Sequence, residues 1–338
     1  MPDMYRVGII GCGGISRAHS NAYKAVARTE IVAAADISEQ QLQKYSQEYG
    51  VKALYTNYIE MLEKEKLDIV SICTYPIIRR DITVNTAQRG VKGIYCEKPM
   101  CMSLQEADDM VEACEKAGVQ LIVGHQRRFE AQYVKAKEIL DSGAIGELYK
   151  METCCPGWDV FEWGTHWIDI MRFYNNDVEA ECVFAQIDRR WDRTGYGHRM
   201  ETECISYIKF KNGVRGFFES GDHALPGFFN HIIGTEGIIE LNLPNRPALR
   251  ARVLGEKDWI VPELKGGNPF NLTVEALIES IETGKPHPLN GRSARAGQEI
   301  IMATYESALT GKLISLPLKR KESPLGVMLD RVGIPLVL

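Results

Sequence analysis

The sequence predicts an α/β protein in two parts, a doubly wound parallel sheet followed by a domain on a mostly antiparallel sheet. Over the first 125 residues, short apolar runs alternate with stretches of helical spacing. The runs are apolar throughout, which is typical of strands covered by helices on both faces. From about Gly146, several β-type runs follow one another with turn signals between them, which predicts the second sheet. A length of 338 residues fits two domains at about 150 residues each.

The first part is predicted as strands and helices in strict alternation. The strands are expected at 5–10, 30–35, 67–74, 93–96 and 120–123, and the helices at 16–27, 38–49, 58–65, 80–90 and 104–118.

The second part is predicted as a series of strands closed by two helices. Asn212-Gly213 marks a tight hairpin turn, because both residues accept a positive φ. The domains are expected at 1–125 and 126–318, with a tail at 319–338 that is either a frayed end or a segment docked on a neighbouring subunit. The strands are expected at 148–155, 178–187, 202–209, 214–220, 229–234 and 237–241, and the helices at 272–283 and 293–310.

Composition argues against several classes of protein. Lys and Arg number 40 against 45 Asp and Glu, a net charge of −5, whereas nucleic-acid binders usually carry a basic excess. No uncharged apolar run approaches the roughly 18 residues that a membrane span needs, and no signal peptide precedes the first strand. The nine cysteines are odd in number and form no CxxC pair. We therefore expect no disulfide framework, no metal site and a reduced, cytoplasmic protein.

The loop after the first strand carries a phosphate-binding pattern. Gly11 and Gly13 match the first two glycines of GxGxxG, and Ser16 replaces the third with a small residue. Asp36 follows the second strand, where a carboxylate binds a ribose 2′-hydroxyl and repels a 2′-phosphate, so NAD is favoured over NADP. The alternatives are an ordinary glycine-rich turn and, for Asp36, a helix-capping role that Ser38 fills equally well.

Two further clusters carry acid–base chemistry. Glu97-Lys98-Pro99 follows a predicted parallel strand, whose carboxyl end faces the ligand crevice. Glu162 and His166 are four residues apart, so on a helix the carboxylate can support the imidazole as a general base. The alternatives are a solvated Glu–Lys pair and a buried histidine bonded to backbone.

These motifs together resemble the glucose–fructose oxidoreductase / inositol dehydrogenase / rhizopine catabolism (Gfo/Idh/MocA) oxidoreductases over nearly the whole chain. The resemblance implies a Rossmann domain, then an α/β domain whose large open sheet has one pocket face and one face that commonly forms an oligomer interface, hence a homo-oligomer (dimer or tetramer). We expect Ile205, Tyr207, Phe217 and Phe218 on that outer face. The motifs are GCGGIS at 11–16, EKP at 97–99, GHQRRF at 124–129, EWGTHWID at 162–169, and the stretches 279–291 and 303–312.

The resemblance also implies residue roles. Lys98 and His166 serve the redox centre, with Glu162 in place of the family's usual aspartate. The family's Thr-Pro-Asn-x-x-His loop is altered here, so that Arg79 replaces the histidine, at the cofactor edge or beyond it. Candidate pocket groups are Trp158, Asp159, Arg128, His223 and Tyr196. The implied cofactor contacts are Gly11, Gly13, Gly14, Ile15, Asp36, Thr74, Tyr75, Glu97, Lys98, Gln126, Trp163 and Tyr305.

The activity expected from this resemblance is an NAD-dependent dehydrogenase acting on a secondary alcohol of a cyclic polyol, sugar or glycoside. One alternative is a glycoside hydrolase or lyase that keeps NAD bound and oxidises the sugar transiently. The other is a non-catalytic NAD-binding regulator. The presence of both Lys98 and His166 argues against the regulator, which needs only the glycine loop and Asp36.

Overall fold

The computed structural model describes residues 4–224 and 227–332, which form two compact units. The first unit comprises Met1–Gln126 and Gly267–Arg295, and the second comprises Arg127–Gly266 and Ala296–Leu338. The chain therefore returns to the first unit after building most of the second, whereas the sequence suggested one crossing near residue 125. No helix of the described ranges is long and apolar enough to cross a membrane.

The first unit is built on a six-stranded parallel sheet, which confirms the predicted doubly wound architecture. The strand order β3-β2-β1-β4-β5-β6 places β1 beside β4, and ligands of such sheets bind outside the carboxyl ends of the strands at this reversal. β3 was not predicted, because three half-buried edge residues leave no apolar run. The strands are β1 Tyr5–Ile10, β2 Thr29–Ala35, β3 Ala53–Tyr55, β4 Ile69–Ile72, β5 Gly93–Cys96 and β6 Gln120–Val123.

Helices connect these strands, and side-chain caps fix where several of them begin. Ser38, Asn57 and Ser103 each accept a hydrogen bond from the backbone of the helix that follows. Gly50 and Gly118 end two helices at positive φ, a conformation that glycine adopts without steric cost. The helices are α1 Ser16–Ala25, α2 Glu39–Tyr49, α3 Tyr58–Lys64, α4 Arg79–Ala87 and α5 Leu104–Ala117.

The second unit is built on an eight-stranded sheet in the order β15-β14-β13-β7-β12-β11-β8-β16, with β9 and β10 forming a separate ribbon. Only the β7–β12 pair is parallel among the described pairs of this sheet, which confirms the predicted, mostly antiparallel character. The strands are β7 Leu148–Pro156, β8 Ala180–Asp188, β9 Arg193–Gly195, β10 His198–Met200, β11 Glu203–Phe210, β12 Arg215–Gly221, β13 Asn230–Gly234, β14 Gly237–Leu241, β15 Leu249–Val253 and β16 Ile314–Ser315.

The sheet of the second unit has one covered face and one exposed face. The exposed face carries Ile205 (64% exposed) and Phe217 (40%), and the rings of Tyr207 and Phe217 lie 5.4 Å apart. The expectation that Phe218 shares this face is wrong: it is 1% exposed. Successive side chains of a strand point to opposite faces, so Phe217 and Phe218 cannot lie on the same one.

Five further helices complete the two units: α6 Ala131–Asp141, α7 Gly164–Tyr174, α8 Pro269–Thr283, α9 Gly291–Thr310 and α10 Leu325–Val332. α7 packs on β7 and β12, and α8 packs on α1 in the first unit. α10 belongs to the predicted tail and docks on its own chain, since Leu325 and Leu329 are buried and Arg189 donates to the carbonyl of Leu329. The remaining tail, 333–338, lies outside the described residues.

Ion pairs of the buried Arg128 hold α7 in the second unit. The guanidinium of Arg128 makes two 2.8 Å bonds to Asp169 on α7 and two more to Asp177, just beyond that helix. Burial alone lowers the pKa of Arg128, but the two carboxylates raise it above its ordinary value. Arg128, a candidate pocket group, is therefore committed to structural ion pairs.

Candidate active site

The loop from β1 to α1 has the geometry of a phosphate cradle. Gly11 has a φ of +89°, and a Cβ there would lie 2.9 Å from the backbone of Cys73, so only glycine fits. A Cβ at Gly13 or Gly14 would meet nothing within 4 Å, so open space lies beside both backbones. α1 begins after Ile15 with no side-chain cap among the described residues, and the amides of Arg17 and Ala18 donate to the carbonyls of Gly14 and Ile15. The loop therefore fits a bound pyrophosphate.

Asp36 closes one side of this cradle. Its Oδ2 accepts a 2.7 Å hydrogen bond from the Cys12 amide, and its Oδ1 accepts a 2.8 Å bond from the Ser38 amide. The side chain of Ser38 caps α2, so the capping role that the sequence left open belongs to Ser38. Each carboxylate oxygen has a second lone pair, so Asp36 can still accept hydrogen bonds from a ribose.

Glu97 is an anchor beneath the EKP loop. It is 3% exposed, its Oε1 lies 2.8 Å from His19 Nε2, and its Oε2 accepts a 3.1 Å bond from the Lys98 amide. Burial opposes ionisation, yet the hydrogen bond with His19 lowers the pKa of Glu97 below its ordinary value. Gly124 lets the carboxylate approach, since a Cβ there would lie 2.8 Å from Glu97 Oε1. The alternative of a solvated Glu–Lys pair is thus wrong for Glu97.

The loop after β4 is tied to the same edge of the sheet by Arg79. This guanidinium is buried and donates to the carbonyl of Thr74 at 2.9 Å and to the carbonyl of Pro99. Arg79 therefore links the loops that follow β4 and β5 by backbone contacts. Tyr75, the residue after Thr74 in the same loop, is 57% exposed.

In the second unit, His166 lies in the first turn of α7 among aromatic rings. It is 4% exposed, and its ring centroid lies 6.2 Å from that of Trp163, which stacks on Trp158 at 4.9 Å. Gly164 allows this tight helix entry, because a Cβ there would lie 2.7 Å from the ring of Phe218. His166 is therefore almost fully buried beside the rings of Trp163 and Trp167.

The carboxylate of Glu162 contacts a histidine that the sequence did not single out. Glu162 is 2% exposed, and its Oε1 lies 2.8 Å from His198 Nε2. His198 is 36 residues further along the chain and belongs to no motif, so only the tertiary structure could reveal this pair.

Two more carboxyl groups lie in the same cluster. Asp159 Oδ1 accepts a 3.1 Å bond from the Glu162 amide, and Asp159 Oδ2 has no hydrogen-bond partner in the described part of the chain. Glu201 accepts bonds from the Val160 amide at 2.6 Å and from Tyr305 Oη at 3.0 Å. Burial, with the neighbouring charges of Glu201 and Glu162, raises the pKa of Asp159 to about 8, and burial raises that of Glu201. Among the described residues, no group of three or more His, Cys, Asp and Glu is arranged to hold a metal ion.

The raised pKa of Asp159 predicts a pH-dependent loss of stability. The pKa of Asp159 is about 8 in the folded protein against an ordinary 3.8. Its contribution to the free energy of unfolding is therefore complete below about pH 4 and is lost as the pH rises to about 8. Asp159→Asn, which cannot ionise, should flatten the stability curve over this window. Chemical denaturation of both proteins from pH 5 to pH 9 (about one measurement per pH unit) checks this. Parallel curves would show that Asp159 is ionised in the folded protein throughout.

The expected site residues thus fall into two groups, one in each unit. The second unit holds Glu162, Trp163, His166 and Tyr305. Tyr305, expected at the cofactor, is fully buried and donates to Glu201. The first unit holds Gly11, Gly13, Gly14, Ile15, Asp36, Thr74, Tyr75, Glu97, Lys98 and, as its last residue before the return, Gln126.

Comparison with known proteins identifies relatives that match more than nine tenths of the chain. Residues 5–125 match the family model described as "Oxidoreductase family, NAD-binding Rossmann fold". The chain is 30% identical to the uncharacterized oxidoreductase YrbE of Bacillus subtilis (91% of this chain, 96% of the relative). It is 27% identical to the D-apiose dehydrogenase of Paraburkholderia graminis (95% and 92%). The solved structure of a levoglucosan dehydrogenase with NADH and L-sorbose superposes with a TM-score of 0.83 at 20% identity, covering 94% of this chain and 100% of that one.

Proposed function

The chain belongs to the Gfo/Idh/MocA family of NAD-binding oxidoreductases, and from this premise we propose an NAD-dependent dehydrogenase that oxidises a secondary alcohol of a cyclic polyol, sugar or glycoside. The observation that carries the proposal is the cradle at Gly13 and Gly14, with Asp36 bound to the same loop. The substrate class rests on similarity to relatives that include dehydrogenases of apiose and of inositol.

The proposed mechanism divides the work between Lys98 and His166. His166 accepts the hydroxyl proton of the substrate as a general base, while the Lys98 ammonium stabilises the negative charge that develops on the same oxygen. Glu162 orients His166. When bound, NAD supplies a nicotinamide ring that accepts a hydride from the oxidised carbon. The hydrogen bond from the backbone amide of Lys98 to the buried side-chain carboxylate of Glu97 supports this role, since it fixes the backbone that carries the ammonium.

We assign cofactor binding to the first unit, and substrate binding and oligomerisation to the second. The experiment that tests the proposed activity is a thermal-shift screen of sugars and polyols in the presence of NAD, followed by assays for NADH with each stabilising compound. We expect net NADH formation with at least one cyclic polyol or sugar. Release of sugar from a glycoside without net NADH would instead establish the hydrolase or lyase alternative.

Asp36 predicts the choice of cofactor. NAD should bind more tightly than NADP, and Asp36→Ala should narrow the difference, because it removes both the ribose acceptor and the repulsion of a 2′-phosphate. Calorimetric titration of both cofactors into both proteins measures this. The melting temperature without cofactor is needed as a control, because Asp36 also binds the Cys12 and Ser38 amides. Equal affinity of the unaltered protein for NAD and NADP would contradict the assignment.

The exposed sheet face predicts self-association. Ile205, Tyr207 and Phe217 together form an apolar patch of the kind that marks interfaces, so we propose a homo-oligomer, dimer or tetramer, joined through this face. Light scattering should give a mass of at least twice 38.0 kDa, and Ile205→Glu should lower it to that of one chain. A single-chain mass for the unaltered protein at micromolar concentration would refute this.

We also propose a cytoplasmic location. All nine cysteines are buried, their number is odd and they form no CxxC pair, as expected of a protein that folds in a reducing compartment. Fractionation of cells that express the tagged chain tests the location, with recovery in the cytoplasmic fraction as the expected result.

A further inference from the structure

His198 on β10 has no role in the mechanism proposed above, yet both of its ring nitrogens are engaged. Nε2 lies 2.8 Å from Glu162 Oε1, and Nδ1 lies 2.8 Å from the carbonyl oxygen of Arg199. The side chain is 6% exposed, and its ring packs edge-on against Phe161 at 5.2 Å. The orientation of the imidazole is therefore fixed on three sides.

These two contacts determine how many protons the ring carries. A carbonyl oxygen can only accept, so Nδ1 must donate to Arg199. A neutral imidazole has one N–H, so Nε2 would then direct a lone pair at an oxygen of Glu162 2.8 Å away. A second proton between Nε2 and Oε1 removes this repulsion. The pair of Glu162 and His198 then carries no net charge, which a buried site favours.

The groups around the pair are consistent with a protonated ring. Asp159 and Glu201 belong to the same buried cluster, and Tyr305 Oη donates to Glu201. On the neighbouring strand β9, Arg193 pairs with Asp222 at 3.6 Å, and the Arg199 guanidinium pairs with Asp330 on α10 at 2.6 Å. Burial alone lowers the pKa of His198, but the hydrogen bonds with Glu162 and the Arg199 carbonyl raise it above its ordinary value.

We propose that His198 is a positioning residue for Glu162. As an imidazolium it shares a proton with the Glu162 carboxylate, and this bond fixes the direction in which that carboxylate points. The protonation of His198 is inferred from its own contacts, whereas the role of Glu162 in orienting His166 rests on the proposed function. One arm of the test therefore needs no substrate.

The first arm is nitrogen NMR of protein labelled at its seven histidines. The signals of His198 are assigned by their absence in His198→Gln. At neutral pH we expect both ring nitrogens of His198 to carry a proton. In Glu162→Gln we expect a neutral ring with its proton on Nδ1 only, because an amide offers no charge to hold the second one. An unprotonated Nε2 in the unaltered protein would overturn the proposal, whatever the protein catalyses.

The second arm measures turnover of a substrate found by the screen described above. His198→Ala should lower kcat by about 10- to 100-fold, as a misplacement of about 1 Å near the reacting groups does. It should also shift the pH profile of kcat and leave NAD affinity unchanged. His198→Gln keeps a hydrogen-bond donor without the charge, so its kcat should lie between those of the unaltered protein and His198→Ala. It replaces the alanine variant if that variant does not fold.

The matched control is His231→Ala. His231 Nδ1 also lies 3.1 Å from a glutamate oxygen, that of Glu152, but this pair joins the neighbouring strands β13 and β7 of the large sheet. It should leave kcat and the pH profile unchanged. A folded His198→Ala protein with unaltered kcat and pH profile would overturn the positioning role. If no substrate is turned over by the unaltered protein, the proposed function fails, and the NMR arm still decides the proton count.

Discussion

Alanine at Lys98 or at His166 is expected to lower turnover by about two to four orders of magnitude, the usual cost of losing a positioned acid or base. Lys98→Ala removes the charge that stabilises the developing alkoxide. His166→Ala removes the base, and we expect partial rescue at high pH, where hydroxide replaces it. Glu162→Gln should cost less, because the amide keeps the shape of the side chain and a hydrogen-bond partner.

These losses must be separated from damage to the fold. NAD affinity and melting temperature are therefore measured on the same preparations, and NAD affinity should weaken far less than turnover falls. Lys92→Ala is the control for Lys98→Ala in the first unit, and His231→Ala is the control for His166→Ala in the second unit. Each control removes a side chain that contacts a carboxylate, Asp68 or Glu152, outside the candidate site. Near-full turnover in both Lys98→Ala and His166→Ala would show that the reacting groups lie elsewhere.

The second large effect is expected on stability, at Arg128. Arg128→Met should lower the free energy of unfolding by about 3–5 kcal/mol, because it leaves the buried carboxylate of Asp169 without its guanidinium. Urea denaturation followed by tryptophan fluorescence measures this, and all five tryptophans lie in the second unit with Arg128.

The control for this measurement is an exposed ion pair of the same unit. Lys135→Ala breaks the solvated pair with Glu138 and should cost at most about 0.5 kcal/mol. If Arg128→Met costs as little as Lys135→Ala, the network around Asp169 does not stabilise the unit as proposed.

The sequence predicted the fold well wherever apolar runs were long. β14, at Gly237–Leu241, lies where it was expected, and β7, β8, β11 and β12 differ by one or two residues at their ends. Short or mixed elements were missed: the edge strand β3, the ribbon strands β9 and β10, and the helix α6, where polar and apolar residues alternate without a clear stripe. Packing against neighbours, and not local pattern, forms such elements.

The candidate site was predictable where residues are close in sequence. The glycine loop, Asp36 and the EKP motif each follow a strand, so their placement follows from the parallel sheet. His198 and Glu201 could not be inferred, because they contact Glu162 and Val160 from positions 36 and 41 residues further along the chain. The same holds for His19, which meets Glu97 across 78 residues.

The most direct test of the proposed activity follows one atom. A polyol or sugar identified by the screen is labelled with deuterium at the carbon that is oxidised, and the cofactor and product are analysed by mass spectrometry. The proposed function predicts one deuterium in each molecule of reduced cofactor and an equal amount of ketone product. Deuterium retained in a released sugar, with no reduced cofactor accumulating, would contradict a dehydrogenase and indicate transient oxidation by bound NAD.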